Sequence, residues 1–99
     1  MEIIKSLNNK QLTIALKGEL NTTTAPELEK VVSDSLKDVK ELIFDFSELS
    51  YLSSAGLRVL LASQKVMNKQ GKMIVRHPNE TVKDIFDMTG FSSILEIED

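Results

Sequence analysis

Leu12, Ile14 and Leu16 alternate with Thr13, Ala15 and Lys17, the period-two pattern of a strand with one buried face. A second strand-like stretch precedes it at residues 2–7. Asn8-Asn9-Lys10 between them are turn residues, so the pair is predicted to form a hairpin. Gly18-Glu19-Leu20-Asn21 leads out of the second strand. The period then changes. Leu28, Val31, Val32, Ser35, Leu36 and Val39 recur at helical spacing, with Glu29, Lys30, Asp34 and Lys37 outside. Thr24 as N-cap places Pro26 in the first turn, where its missing N–H costs little, and Glu27 at N3, the arrangement of a capping box.

Leu42-Ile43-Phe44 is a short apolar run that predicts a strand over about 41–46. Asp45, Ser47, Glu48 and Ser50 break it and predict a polar surface loop. Ser53-Ser54 stands where a helix N-cap belongs, and the helix is expected from about Ala55 to Asn68, ending near Gly71. This helix carries two apolar sets. Leu57, Leu60, Leu61, Gln64 and Met67 share one side and should face the sheet. Ala55, Val59, Ala62 and Val66 share the other, beside Arg58, Lys65 and Lys69. Singly exposed apolar residues are ordinary, and a contiguous exposed stripe marks a docking surface; the pattern fits both.

Lys72–Arg76 has the apolar centre of a further strand, closed by His77-Pro78. Asn79 caps a helix over 80–89 with Val82, Ile85, Phe86 and Thr89 inward, and Gly90 ends it. Ile94-Leu95-Glu96-Ile97 reads as the last strand. The order ββαβαβαβ predicts an α/β fold. Five strands form a mostly parallel sheet with an N-terminal hairpin and three main helices, because parallel neighbours need crossovers. The loop at Ser53-Ser54 then lies at the carboxyl end of a parallel strand, where open α/β sheets place their sites.

Composition narrows the function. At 99 residues, one domain (1–99) is the natural count. The absence of cysteine removes disulfides, thiolate catalysis and Cys-type zinc sites, and a single His makes other transition-metal sites improbable. The net charge of −3, with both signs interspersed and no Trp, argues against a nucleic-acid partner. No apolar run reaches the ~18 residues of a membrane span, and Met1–Lys5 lacks a signal-peptide core. A cytoplasmic protein without membrane insertion or cofactor is expected. A hydrolase built on Ser54, His77 and Asp45 is disfavoured, since no Gly stands two residues before Ser54 to form a nucleophile elbow. Ser54 read from its position alone is an ordinary N-cap or first-turn serine.

Asp45-Phe46-Ser47, with Tyr51-Leu52-Ser53-Ser54-Ala55-Gly56-Leu57-Arg58-Val59-Leu60-Leu61, resembles the STAS domain of bacterial anti-sigma factor antagonists. Gly18-Glu19-Leu20 and Met88-Thr89-Gly90-Phe91 resemble the same family. The resemblance implies a non-catalytic binding module. Its partners would be an anti-sigma factor that is also an ATP-dependent serine kinase, and a PP2C-type phosphatase. It places the phosphoacceptor on Ser54, with Ser53 the weaker candidate; together with the apolar stripe of the helix, partner contacts are expected on Ser53, Ser54, Ala55, Gly56, Arg58, Val59, Ala62 and Val66. Gly56 would keep the helix start free of bulk for a partner backbone. Two positions depart from the family pattern: Ser53 stands where good kinase substrates often carry Asp, and Arg58 where many members carry Gly. The alternative implied is a constitutive adaptor subunit of a membrane-lipid transport ATPase complex, indifferent to the Ser54 hydroxyl.

Overall fold

The computed structural model describes residues 1–99. Strands β1 (Glu2–Asn8) and β2 (Gln11–Leu20) form the expected antiparallel hairpin, with Asn9 in the left-handed region at φ 57° in its turn. Helix α1 (Ala25–Ser35), β3 (Glu41–Leu52), α2 (Ser54–Gln70), β4 (Lys72–Arg76), α3 (Glu80–Thr89) and β5 (Glu96–Glu98) follow, with a 3-10 turn at Phe91–Ser93 before β5. The sheet order is β1-β2-β3-β4-β5, parallel from β2 onward. Because every crossover steps to the next strand in the same direction, one hand of connection puts all three helices on one face. A single core of 23 buried residues joins that face (Leu12, Ile14, Leu16, Phe44, Phe46, Met73, Val75) to residues of each helix. Phe46 stacks on Phe86 of α3 at 6.5 Å. The opposite face carries no helix. There Ile43 and Ile74 are buried neighbours, edged by the Glu41–Lys72 and Arg76–Glu98 ion pairs.

Several local expectations are corrected. The strand expected to stop at residue 46 continues to Leu52, so the polar loop is strand. From Ala15/Asp45 to Leu20/Leu52, β3 uses seven residue steps against five on β2. The extra residues bulge out. Phe46, Leu49 and Leu52 are therefore the buried positions, while Ser47, Glu48, Ser50 and Tyr51 are exposed. Gly18, on the β2 side of this irregular region, has φ 109°, a conformation that favours glycine. The second strand accordingly extends through Leu20 instead of leaving at Gly18.

The capping box at α1 does not form. Thr24 is helical and makes no cap hydrogen bond. Asn21 does the capping instead, its Oδ1 accepting from the Thr23 and Thr24 N–H groups at 3.0 and 3.1 Å. Thr24 Oγ1 turns back, accepting from Asn21 N–H and donating to the Glu19 carbonyl. Val39 is buried but lies beyond the helix, which stops at Ser35. Gly71 ends α2 with an extended φ of 179°, so its role is space: a Cβ there would meet the Lys40 carbonyl oxygen at 1.9 Å. Thr89 is exposed, its hydroxyl donating to the Ile85 carbonyl. The last strand begins at Glu96, two residues later than expected.

Asn79 ties α3 to the end of β3. Its Oδ1 caps Val82 N–H at 2.8 Å, and its Nδ2 donates to the Leu49 carbonyl at 3.1 Å. Asn79→Ala removes both links and leaves part-buried groups unpaired, so thermal or urea melts should show a loss of about 1–3 kcal/mol. Asn79→Asp keeps the cap but cannot donate to Leu49, and should fall between the two.

Candidate functional site

The site is built where β3 ends and α2 begins. The Ser53 N–H donates to the Leu20 carbonyl at 2.8 Å, and the Ser53 carbonyl accepts the first α2 bond from Leu57 N–H at 3.0 Å. Ser53 is thus the N-cap, with extended backbone (φ −100°, ψ 179°), but its hydroxyl does not cap the helix. Ser53 Oγ is buried and has no hydrogen-bond partner. Ser54 is the first helical residue and is exposed. The two adjacent serines are therefore distinct: the Ser53 hydroxyl is buried and Ser54 lies at the surface.

Gly56 is buried, and a Cβ there would lie 2.7 Å from Leu20 Cγ. Its bareness makes room for Leu20 beneath the first turn, which corrects the expectation that it opens space for a partner. Val59 is corrected as well. It was expected on the exposed stripe, but it is only 4% exposed, against 42% for Val66. The reason is α1, which packs against the flank of α2 and lines a shallow groove of about 160 Å³ with it (Val32, Leu36, Val59, Ala62, Val66). Two neighbours, the sheet and α1, widen the buried arc of α2 to include Gly56, Val59 and Ser63. Leu61, expected inward, is half-buried. Ala55 is half-buried, and Arg58, Ala62 and Val66 remain exposed.

A second cleft, about 260 Å³, lies between the starts of α1 and α2, bounded by Thr22, Ala25, Pro26, Glu29, Ala55, Arg58 and Val59. The α1 residues of this cleft were not singled out from the sequence. A signal for them was present: β2 and β3 are parallel neighbours, so the helices that follow them must start side by side at the same sheet edge. Arg58 enters no ion pair, and neither does Glu29.

The other candidate chemistry does not assemble. Asp45 Oδ1 accepts from Ser47 N–H at 3.0 Å, as a turn carboxylate does, and His77 closes β4 with its N–H donating to the Glu98 carbonyl. Neither side chain hydrogen-bonds Ser54. No cluster of three His, Cys, Asp or Glu side chains comes together as a metal site. No helix is long and apolar enough to cross a membrane.

The new placement of Val59 changes what substitutions should do. Val59→Asp puts a carboxylate into the α1–α2 packing and should cost more than about 3 kcal/mol, enough to leave much of the protein unfolded on warming. Val66→Asp, at the open end of the groove, should change stability by less than about 1 kcal/mol. Circular-dichroism melts of the two variants check the assignment.

Comparison with known proteins agrees with this architecture. Residues 2–99 match the STAS domain family. The chain is 32% identical to BtrV of Bordetella bronchiseptica, over 87% of this chain and 76% of that protein. It is 29% identical to the anti-sigma-B factor antagonist of Listeria monocytogenes, over 96% of this chain and 85% of that one. Among solved structures, the unphosphorylated form of the anti-sigma factor antagonist SpoIIAA superposes with a TM-score of 0.78 at 20% identity, covering 99% of this chain and 88% of that chain. The phosphorylated form of the Bacillus cell-fate determinant SpoIIAA superposes with a TM-score of 0.77 at 20% identity, covering 97% and 90%. With a family match over residues 2–99, nearly its whole length, this chain belongs to the STAS domain family.

Proposed function

We propose that this domain is an anti-sigma factor antagonist whose partner choice is switched at Ser54. With the hydroxyl free, the start of α2 and the adjoining cleft bind an anti-sigma factor that also acts as a serine kinase, and the sigma factor is released. Transfer of the γ-phosphoryl group of ATP to Ser54 Oγ ends that binding, and a PP2C-type phosphatase restores it by hydrolysis. The domain itself performs no catalysis and works in the cytoplasm. The observation that carries this reading is the exposed hydroxyl at the first position of α2, beside a cleft, at the carboxyl end of a parallel strand. The names borne by its relatives in Bordetella and Listeria support the role.

Physical chemistry supports a switch without refolding. A phosphate at a helix N-terminus is favoured by the dipole and the free N–H groups, by roughly 0.3–1 kcal/mol when exposed. It adds about −1.5 to −2 charges to a surface that has to be desolvated against a partner. Binding is then lost through desolvation and repulsion while the fold persists. SpoIIAA, solved in both states, superposes on this chain almost equally well in each. Ser53 is a poor acceptor by comparison, because its hydroxyl is buried.

The test is binding of the purified domain to the anti-sigma factor kinase of its own organism, by calorimetry. Ser54→Asp should weaken binding by about a hundredfold or more while the melting temperature holds or rises slightly. Ser54→Ala should bind like the unmodified protein and resist release by ATP. If Ser54→Asp binds as tightly as wild type, the switch is wrong; equal behaviour of both variants is what a constitutive adaptor would give.

A further inference from the structure

Arg58 is an exposed cation with no ion-pair partner, four residues after Ser54 on the same helix. That spacing places the two side chains on one face with Cβ atoms about 5–6 Å apart. The order is the favourable one, with the position of the anion N-terminal to the cation, in accord with the helix dipole. A guanidinium fork matches the oxygens of a phosphate and can hold two of them at once. The other charged side chain at the cleft, Glu29 of α1, is itself unpaired and does not hold the guanidinium.

We propose that Arg58 is the internal counter-ion of a phosphate on Ser54. The proposal rests on the reading of Ser54 as phosphoacceptor and deepens it. With Ser54 free, Arg58 lines the cleft together with Thr22, Pro26 and Glu29. With Ser54 phosphorylated, it turns toward the start of α2 and binds the phosphate. The partner surface then changes in two places: an anion is added at Ser54, and a cation is withdrawn from the cleft. Arg58 is a positioning residue for the modified state and has no role in holding the unmodified fold.

The test uses full-length protein with phosphoserine installed at position 54 during translation, so no kinase is involved. Phosphorus NMR titration should place the second ionisation of the phosphate lower in the wild-type background than in Arg58→Gln, by roughly 0.2–0.4 at low salt. Arg58→Lys should recover part of the difference, and added salt should shrink it. Arg58→Gln should lower the melting temperature of the phosphoprotein but leave that of the unmodified protein unchanged. Identical phosphate titrations in the wild-type and Arg58→Gln backgrounds would overturn the proposal. So would an equal loss of melting temperature with and without phosphate, which would mark Arg58 as merely structural. Because the phosphate is installed, failure to find Ser54 modified in cells would end the switch reading and leave this pairing measurement standing.

Discussion

Leu20 fixes where α2 begins, and with it everything the site can do. Its backbone lies in register with Leu52, its carbonyl takes the Ser53 N–H, and its side chain fills the space under Gly56. These three contacts set the height and direction at which the chain leaves the sheet. They bury the Ser53 hydroxyl and leave Ser54 outside. A side chain at position 56 would push the helix start off Leu20 and disturb that division. The fully buried Leu20 thus sets the position of a surface residue.

The second determinant is the pair of bulges in β3. They let a strand carry exposed serines and a glutamate while still burying Phe46, Leu49 and Leu52. The end of this irregular segment is held from both sides. Ser50 Oγ donates to the Gly18 carbonyl at 3.0 Å, and Asn79 donates to the Leu49 carbonyl from the start of α3. The site is therefore braced by β2, β3 and α3 together. A rigid support suits the switch proposed above, because the cost of adding a phosphate would then appear in binding and not in refolding.

Much of this was legible in the chain. Where one period dominates, as in β2, β4 and α3, the apolar pattern alone places the element, and the alternation of strands and helices settles the parallel sheet. The extent of β3 was not legible, because bulges turn a spacing of two into buried residues three apart, which reads as a loop. The faces of α2 were half legible: the side toward the sheet followed from Leu57, Leu60 and Met67. The burial of Val59 depends on α1, and no periodicity within one helix reports the angle of its neighbour. The capping of α1 was misassigned for a related reason. Thr24 and Asn21 both have the right chemistry, and only the backbone path out of β2 decides that Asn21 does the work. The resemblance ranked Ser54 above Ser53 from the motif alone, and the buried Ser53 hydroxyl beside the exposed Ser54 adds a physical reason for that order.

The central claim is that Ser54 carries a reversible phosphate. Intact mass and peptide mapping of the protein recovered from its own cells, in growth and under stress, test it most directly. Trypsin releases the site as one peptide, Glu41–Arg58, and fragmentation separates Ser54 from Ser47, Ser50 and Ser53. The account predicts a single phosphate on Ser54 whose amount changes with condition. An unmodified peptide under every condition, or a phosphate on one of the other serines in its place, would contradict it.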